Sequence, residues 1–361
     1  MVIETQTRRP IGQAHSNGNG HKAGEFAGEF IIKRAPLTLS LEAEAAKRVD
    51  IVGGEGASLA KLRSTPGINV PEAFVITTEL QRQILEQNPE IKERIRRLDE
   101  VSERWIEAKL SGGSDEFTWG TQAQAAGEMI KAEIEDVRLP SPTEGEIIQM
   151  YDELGKKAGK RDVAVHRLLL KSSAVAQDGL GSSFTGELGR EQVVNEVIKC
   201  LALQFGEEAV AYRNQARLNA VQEALEENPE NINSALKRSE SLSHTNAKLA
   251  VVVQEMIFAR GGFGLSVGHN GSNGSSFVLL NVGSDSWDVD TSGKIKDRNI
   301  VNKKRKTLFN GHGREDLPLS DEEVVKIAND VFTIRKAFDS EVHVEFMSHK
   351  GNILFVQAKP V

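Results

Sequence analysis

The chain has 361 residues, 27% of them charged, with a formal net charge of −7. That length supports a sizeable core and roughly two domains, and the acidic balance argues against a protein that binds nucleic acid by neutralising phosphates. A single cysteine, Cys200, excludes an internal disulfide and a cysteine-based zinc site. No stretch reaches the roughly 20 apolar residues of a membrane span. The N-terminal MVIETQTRRPIGQ lacks the apolar centre of a secretory signal. The expectation is a cytoplasmic protein with neither membrane nor nucleic acid as partner.

Residues 1–35, including GQAHSNGNGHKAGEFAGEF, carry too few branched apolar side chains to offset their ordering entropy and are expected to be a flexible, disordered tail. SLEAEAAKRVDIVGGEGASLAKLRS then ends in an amphipathic stretch behind two glycines. NVPEAFVITT reads as a strand, with β-branched and aromatic residues behind a proline. Residues 78–110 and 122–160 have helical spacing with charges outside, and SGGSDEFTWG breaks them into two arms of a helical hairpin. VAVHRLLLKSS predicts a strand, and EQVVNEVIKCLALQFGEEAVAYRNQ a helix of several turns with Cys200 in its apolar face. KLAVVVQEMIF is a continuous apolar run of the kind found in buried strands. GGFGLSVG, SSFVLLNVG and GKIKDRNIVNKKRKTLF alternate like strands. SDEEVVKIANDVFTIRKAF predicts a helix whose Ser320 and Glu323 form a capping box. EVHVEFMS and NILFVQAKPV, joined by HKGN, predict a hairpin. The expected organisation is an α/β lobe over 36–245 and a sheet-rich α+β lobe over 246–361.

Four stretches carry candidate chemistry. In LLLKSSAVAQDGLGSSFTG, residues 168–186, a loop of small residues can turn N–H groups toward an anion. Lys171 would supply a point charge, and Ser172, Ser173, Ser182, Ser183 and Thr185 hydroxyl donors. The Walker A order is absent, and on this stretch alone a plain strand–turn–helix is the favoured reading over a phosphate site. In the last hairpin, Glu345, Gln357 and Lys359 can share one face. A carboxylate, an amide oxygen and an ammonium suit a magnesium-bound nucleotide, although a solvated edge hairpin has the same spacing. VVVQEMIF turns polar at Gln254 and Glu255, where backbone groups can read an adenine edge or a core strand can simply reach the surface. GGEGASLAKL places glycines before a helix N-terminus, a ready anion site, but Glu55 there favours the helix rather than a phosphate. The eight histidines have no metal-ligand spacing, and NKKRK is a solvated turn or a patch for an acidic partner.

Taken in order, GGEGASLAKL…PGINVPEAFVITT, LLLKSSAVAQDGLGSSFTG, AVVVQEMI and VEFMSHKGNILFVQAKPV resemble the N-terminal ATP-binding part of the phosphoenolpyruvate synthase and pyruvate phosphate dikinase family, a module shared with rifampicin phosphotransferase. The resemblance covers about 45–361. It implies a two-lobed ATP-grasp fold of α/β and α+β parts with ATP between the lobes. It also implies transfer of the β-phosphate to a histidine on a swivelling domain, with release of AMP and inorganic phosphate. Residue by residue, Glu345 and Gln357 match the family's Mg²⁺-binding Glu and Gln. Gln254, Glu255 and Met256 match the strand that contacts adenine, and Gly181, Ser182, Ser183, Thr185 and Gly186 match its phosphate loop. Lys171 and Lys359 stand where the family has arginines, keeping charge without the bidentate fork. Glu55 stands where it has lysine, and GSDSWDV replaces its Gly-Leu-Gly-Glu segment. Arg167, Arg260 and Arg63 are candidate replacements for the reversed charge, whereas Lys61 lies two helical turns from Glu55.

The sequence reaches QAKPV where the family continues toward its histidine domain. The resemblance therefore implies a histidine-bearing swivel-domain subunit on a separate chain and a small-molecule acceptor. This is similar to phenylphosphate synthase and the synthase acting on 4-methylphenol. A second reading, favoured by Glu55 and the two lysines, is a degenerate, non-catalytic nucleotide-binding module that regulates a partner. A third, a small-molecule ligase acting alone, has no visible acceptor pocket in the sequence.

Overall fold

The computed structural model describes residues 34–159, 165–175, 183–227, 231–257, 260–267, 277–282, 285–299, 305–309, 312–316, 319–349 and 352–361. The expected tail up to residue 33, Gly181, Ser182 and the HKGN turn tip at 350–351 lie outside the described residues. From Ala35 onward the chain forms one compact unit.

The first elements are β1 (Thr38–Ser40), α1 (Val49–Ser64), β2 (Ala73–Ile76), α2 (Thr78–Gln87) and α3 (Pro89–Ser111). Thr77 caps α2 by accepting from the Glu79 N–H. Pro89 opens α3, and Gly112, at φ 66°, closes it in the left-handed conformation. The second arm of the predicted helical hairpin follows as α4 (Glu116–Glu135), and then α5 (Ser141–Lys157). Next come β3 (His166–Ala174), β4 (Ser183–Leu188), α6 (Arg190–Ala202), α7 (Glu207–Glu227) and α8 (Ile232–Arg238). The single helix expected over 191–215 is thus two. A 3₁₀ turn, Leu203–Phe205, buries Phe205, and Gly206 takes an extended conformation before α7 begins. Helical periodicity continued through this break because the residues on either side bury apolar faces in one core.

The remaining elements are β5 (Leu249–Glu255), β6 (Arg260–Val267), β7 (Phe277–Val282), β8 (Asp285–Asp290), β9 (Ile295–Asn299), β10 (Arg305–Phe309), β11 (His312–Asp316), α9 (Asp321–Phe338), β12 (Val342–His349) and β13 (Asn352–Pro360). The Ser320–Glu323 capping box on α9 is formed in both directions. Two main sheets result, antiparallel throughout. One has the order β1-β2-β5-β3-β4, and the other β13-β12-β6-β7-β8-β9. β10 and β11 pair as a separate ribbon. The lobe boundary expected between 245 and 246 precedes β5, yet β5 is the central strand of the first sheet. The change of sheet comes after Glu255.

The alternation of β5 explains the layering. Val251 and Val253 join Phe74, Leu168 and Leu170 in a core beneath α2–α6. Ala250 and Val252 face the other way, into a second core shared with Leu59 and Leu62 of α1, Val344 and Phe346 of β12, Phe355 of β13, and α9. Helix α1 is therefore packed between the two sheets. Among the described residues, no helix is long and apolar enough to cross a membrane.

Candidate functional site

The start of α1 determines what lies between the sheets. Its helix is kinked at Gly53, where φ is 67° and ψ 177°. A Cβ on Gly53 would fall 2.0 Å from the Ser173 carbonyl oxygen, so only glycine fits. The Ser173 hydroxyl donates to the Val52 carbonyl at 2.6 Å and accepts from the Gly56 N–H at 2.9 Å. One strand residue thereby serves as the cap of a helix more than a hundred positions earlier and locks α1 to β3. Ser173 is engaged in that role. Ser172, buried on the opposite face, does not join the site either.

Register decides which other side chains share Lys171's face. Lys171 pairs with Val252 and Leu169 with Gln254, while Ser183 lies opposite Lys171 and Thr185 opposite Leu169. Lys171, Ser183, Thr185 and Gln254 thus lie on the side of the first sheet that α1 covers. Gly186 pairs with Leu168, whose side chain joins the core beneath the helices. Gln254 is fully buried, and neither atom of its amide has a partner. The N–H groups of Glu255 and Met256 are taken up within the chain, by the carbonyls of Glu72 and Arg167. The polar group left open at this strand end is the Gln254 side chain, not those two amides.

The second sheet supplies the facing groups. Glu345 and Gln357 are directly opposite in the β12–β13 register, and His343 is opposite Lys359. The register then shifts, because Phe346 pairs with Phe355 and leaves Val356 as an extra residue. This bulge puts Phe355 in the core with α9 and Gln357 on the opposite face, next to α1. The Val356 carbonyl accepts a hydrogen bond from Lys171 Nζ at 3.3 Å, and the Ser58 hydroxyl of α1 donates to the Ala358 carbonyl. Helix α1, strand β3 and strand β13 are thereby joined around one point.

Glu55 stands at that point. Its Oε1 accepts from the Gln357 side-chain amide and lies 3.4 Å from Lys359 Nζ. Burial pushes the Lys171 ammonium below its usual range, Glu55 and Glu345 pull it up, and Lys359 pushes it down. The four charged side chains therefore act on one another. Of the bases weighed against Glu55, Arg167 pairs with Glu187, and Arg63 with Glu42 and Glu72. Lys61 lies over the Phe338 ring. The Arg260 side chain lies outside the described residues; among the described ones, Lys171 and Lys359 are the cations that face Glu55. Sequence spacing had no means of placing Glu55 against Gln357, since the two are 302 positions apart.

Two antiparallel sheets and the helix α1 thus bring Glu55, Lys171, Gln357 and Lys359 together. Residues 49–361 match the family model for the pyruvate phosphate dikinase AMP/ATP-binding domain, and the chain belongs to that family. It is 26% identical over 351 residues to a probable phosphoenolpyruvate synthase of Methanocaldococcus jannaschii, which covers 87% of this chain and 26% of the relative. It is 23% identical over 371 residues to the phosphoenolpyruvate synthase of Pyrococcus furiosus, covering 87% and 42%. It is also 23% identical over 364 residues to the rifampicin phosphotransferase of Bacillus subtilis, covering 90% and 36%. The chain thus spans well under half the length of these relatives. Among solved structures, a D-alanine–D-alanine ligase from Bacillus anthracis overlaps 64% of this chain and 55% of its own at 10% identity, with a TM-score of 0.26.

Proposed function

We propose that the chain binds Mg-ATP between its two sheets and is the ATP-binding subunit of a split phosphotransferase. The observation that supports this most directly is the convergence of Lys171, Glu345, Gln357 and Lys359, from three strands in two sheets, on one point beside the N-terminal turn of α1. The donor set suits the ligand. Glu345 and Gln357 offer a carboxylate and an amide oxygen, which fit a hard cation that keeps most of its other sites for phosphate and water. Lys171 and Lys359 are the cations for phosphoryl oxygens. The unpartnered Gln254 amide fits a polar base edge at the end of β5. Bound Mg²⁺ would offset charge on the transferring phosphate. The chain's own residues hold, orient and screen the nucleotide, which is most of what phosphoryl transfer asks of a protein.

In this reading the β-phosphate passes to a histidine on a separate swivel-domain subunit and from there to a small acceptor such as a phenol or cresol, with AMP and inorganic phosphate released. The chain alone would then bind but not turn over. Titration calorimetry with ATP, in Mg²⁺ and again in EDTA, tests the first part. Metal-dependent binding is expected, and its absence from a folded sample counts against the reading. AMP formation on adding the histidine-bearing subunit tests the second part. One observation favours a non-catalytic nucleotide-binding regulator instead, namely that Glu55 holds both Gln357 and Lys359. Nucleotide binding without AMP formation in the assembled complex would select that alternative.

A further inference from the structure

The seat for an anion beside α1 already contains one. The Glu55 side chain is 16% exposed, and its Oε1 faces the Gln357 amide and the Lys359 ammonium. Its Oε2 is buried without a partner. Lys171 is drawn by Glu55 first and Glu345 second. Two carboxylates and two ammonium groups leave this cluster with no excess positive charge. An incoming polyphosphate therefore meets cations that are already compensated, at a helix N-terminus that Glu55 itself stabilises.

We propose that Glu55 is a resident counter-anion of the phosphate seat: its carboxylate takes the place of a phosphoryl oxygen on Lys359 and Gln357, and a polyphosphate enters by exchanging with it. This makes Glu55 the residue that sets affinity for the charged part of the ligand. It rests on the Mg-ATP reading only in taking that charged part to be a polyphosphate. The exchange involves no covalent step. The carboxylate swings away from Lys359, and the ammonium and amide meet phosphate oxygens in its place. A metal-free polyphosphate meets Glu55 as a like charge and binds weakly. Removing the charge relieves that repulsion and frees Lys359.

The test compares the full chain with Glu55→Gln and Glu55→Ala, each checked for folding by circular dichroism. The ligands are inorganic tripolyphosphate, ATP and adenosine, each titrated in EDTA and in Mg²⁺. In EDTA, either variant is expected to bind tripolyphosphate about tenfold or more tighter than the wild-type chain, as removal of one close like charge predicts. Adenosine affinity is expected to stay unchanged. Unchanged or weaker tripolyphosphate binding in both variants overturns the inference. A loss confined to the Mg²⁺ titrations also overturns it, by showing Glu55 to be a metal ligand. A tripolyphosphate gain with ATP no tighter than tripolyphosphate leaves the Glu55 inference standing and sinks the nucleotide reading instead.

Discussion

At the scale of single residues, the candidate site carries a cost in stability. The Gln254 amide is fully buried with both polar atoms unpaired, a desolvation cost of about 1–3 kcal/mol. Gln254→Leu is therefore expected to unfold at higher urea concentration than the wild type while binding ATP more weakly. A variant that gains stability and keeps its ATP affinity would separate Gln254 from the ligand. Glu345→Ala and Gln357→Ala should weaken Mg-ATP binding by more than tenfold with little change in stability, read by calorimetry beside a thermal melt. Gly53 behaves in the opposite way. Its left-handed φ and its contact with Ser173 mean that Gly53→Ala should destabilise by more than about 1 kcal/mol in a urea titration. The sequence made Lys171, Glu345, Gln357 and Lys359 legible because each ends or alternates along a strand. It hid Glu55 and Ser173, whose roles come from contacts across the fold. Glu55 read as an ordinary first-turn acid, and it stands two residues past the Gly53 kink in α1.

At the scale of elements, capping residues and apolar periodicity made most helices readable, α9 above all. The break between α6 and α7 was not readable, because a buried Phe205 and a solvent-tolerant Gly206 look like a continuing apolar face. The bulge at Val356 was also hidden, since strict period-two spacing and a one-residue slip give the same pattern for Gln357 and Lys359. The helical layer contains its own testable device. His244 is buried between α3 and α7, accepts from Arg213 at Nδ1 at 2.8 Å, and lies 2.9 Å from the Asn214 Oδ1 through Nε2. Its backbone N–H donates to Asp99. Burial, then Arg213 and Arg217, hold its pKa well below the usual 6.5. The unfolded chain therefore takes up a proton at His244 that the folded chain refuses. Stability from this group is full above that pH and falls below it, by up to about 1.4 kcal/mol per pH unit. Urea midpoints at pH 7.5 and 5.5 should show the decline, and His244→Gln should flatten it. Equal slopes in both proteins would show that His244 is not the titrating group.

At the scale of the whole molecule, two lobes were expected and two sheets are found, but one apolar core runs from the first sheet through α1 into the second. The strand β5, assigned from sequence to the second half, is the centre of the first sheet. A continuous apolar run says that a strand is buried and does not say between which neighbours. Because α1 is common to both layers, the two sheets should not unfold separately. Leu59→Ala and Leu62→Ala, each replacing a fully buried α1 side chain, should each cost about 2–5 kcal/mol and move a single calorimetric transition to lower temperature. Two transitions that respond independently would contradict a shared core.

The contact of Glu55 with Gln357 and Lys359 also sets an order of events during synthesis. Helix α1 leaves the ribosome long before β13, and every nascent chain lacking β13 has only half of the proposed phosphate seat. Until then Glu55 and Lys171 have no facing strand, and cellular nucleotide has nothing complete to hold. On the proposed function, nucleotide binding should therefore appear abruptly with the last few residues of β13, after the folding that precedes it.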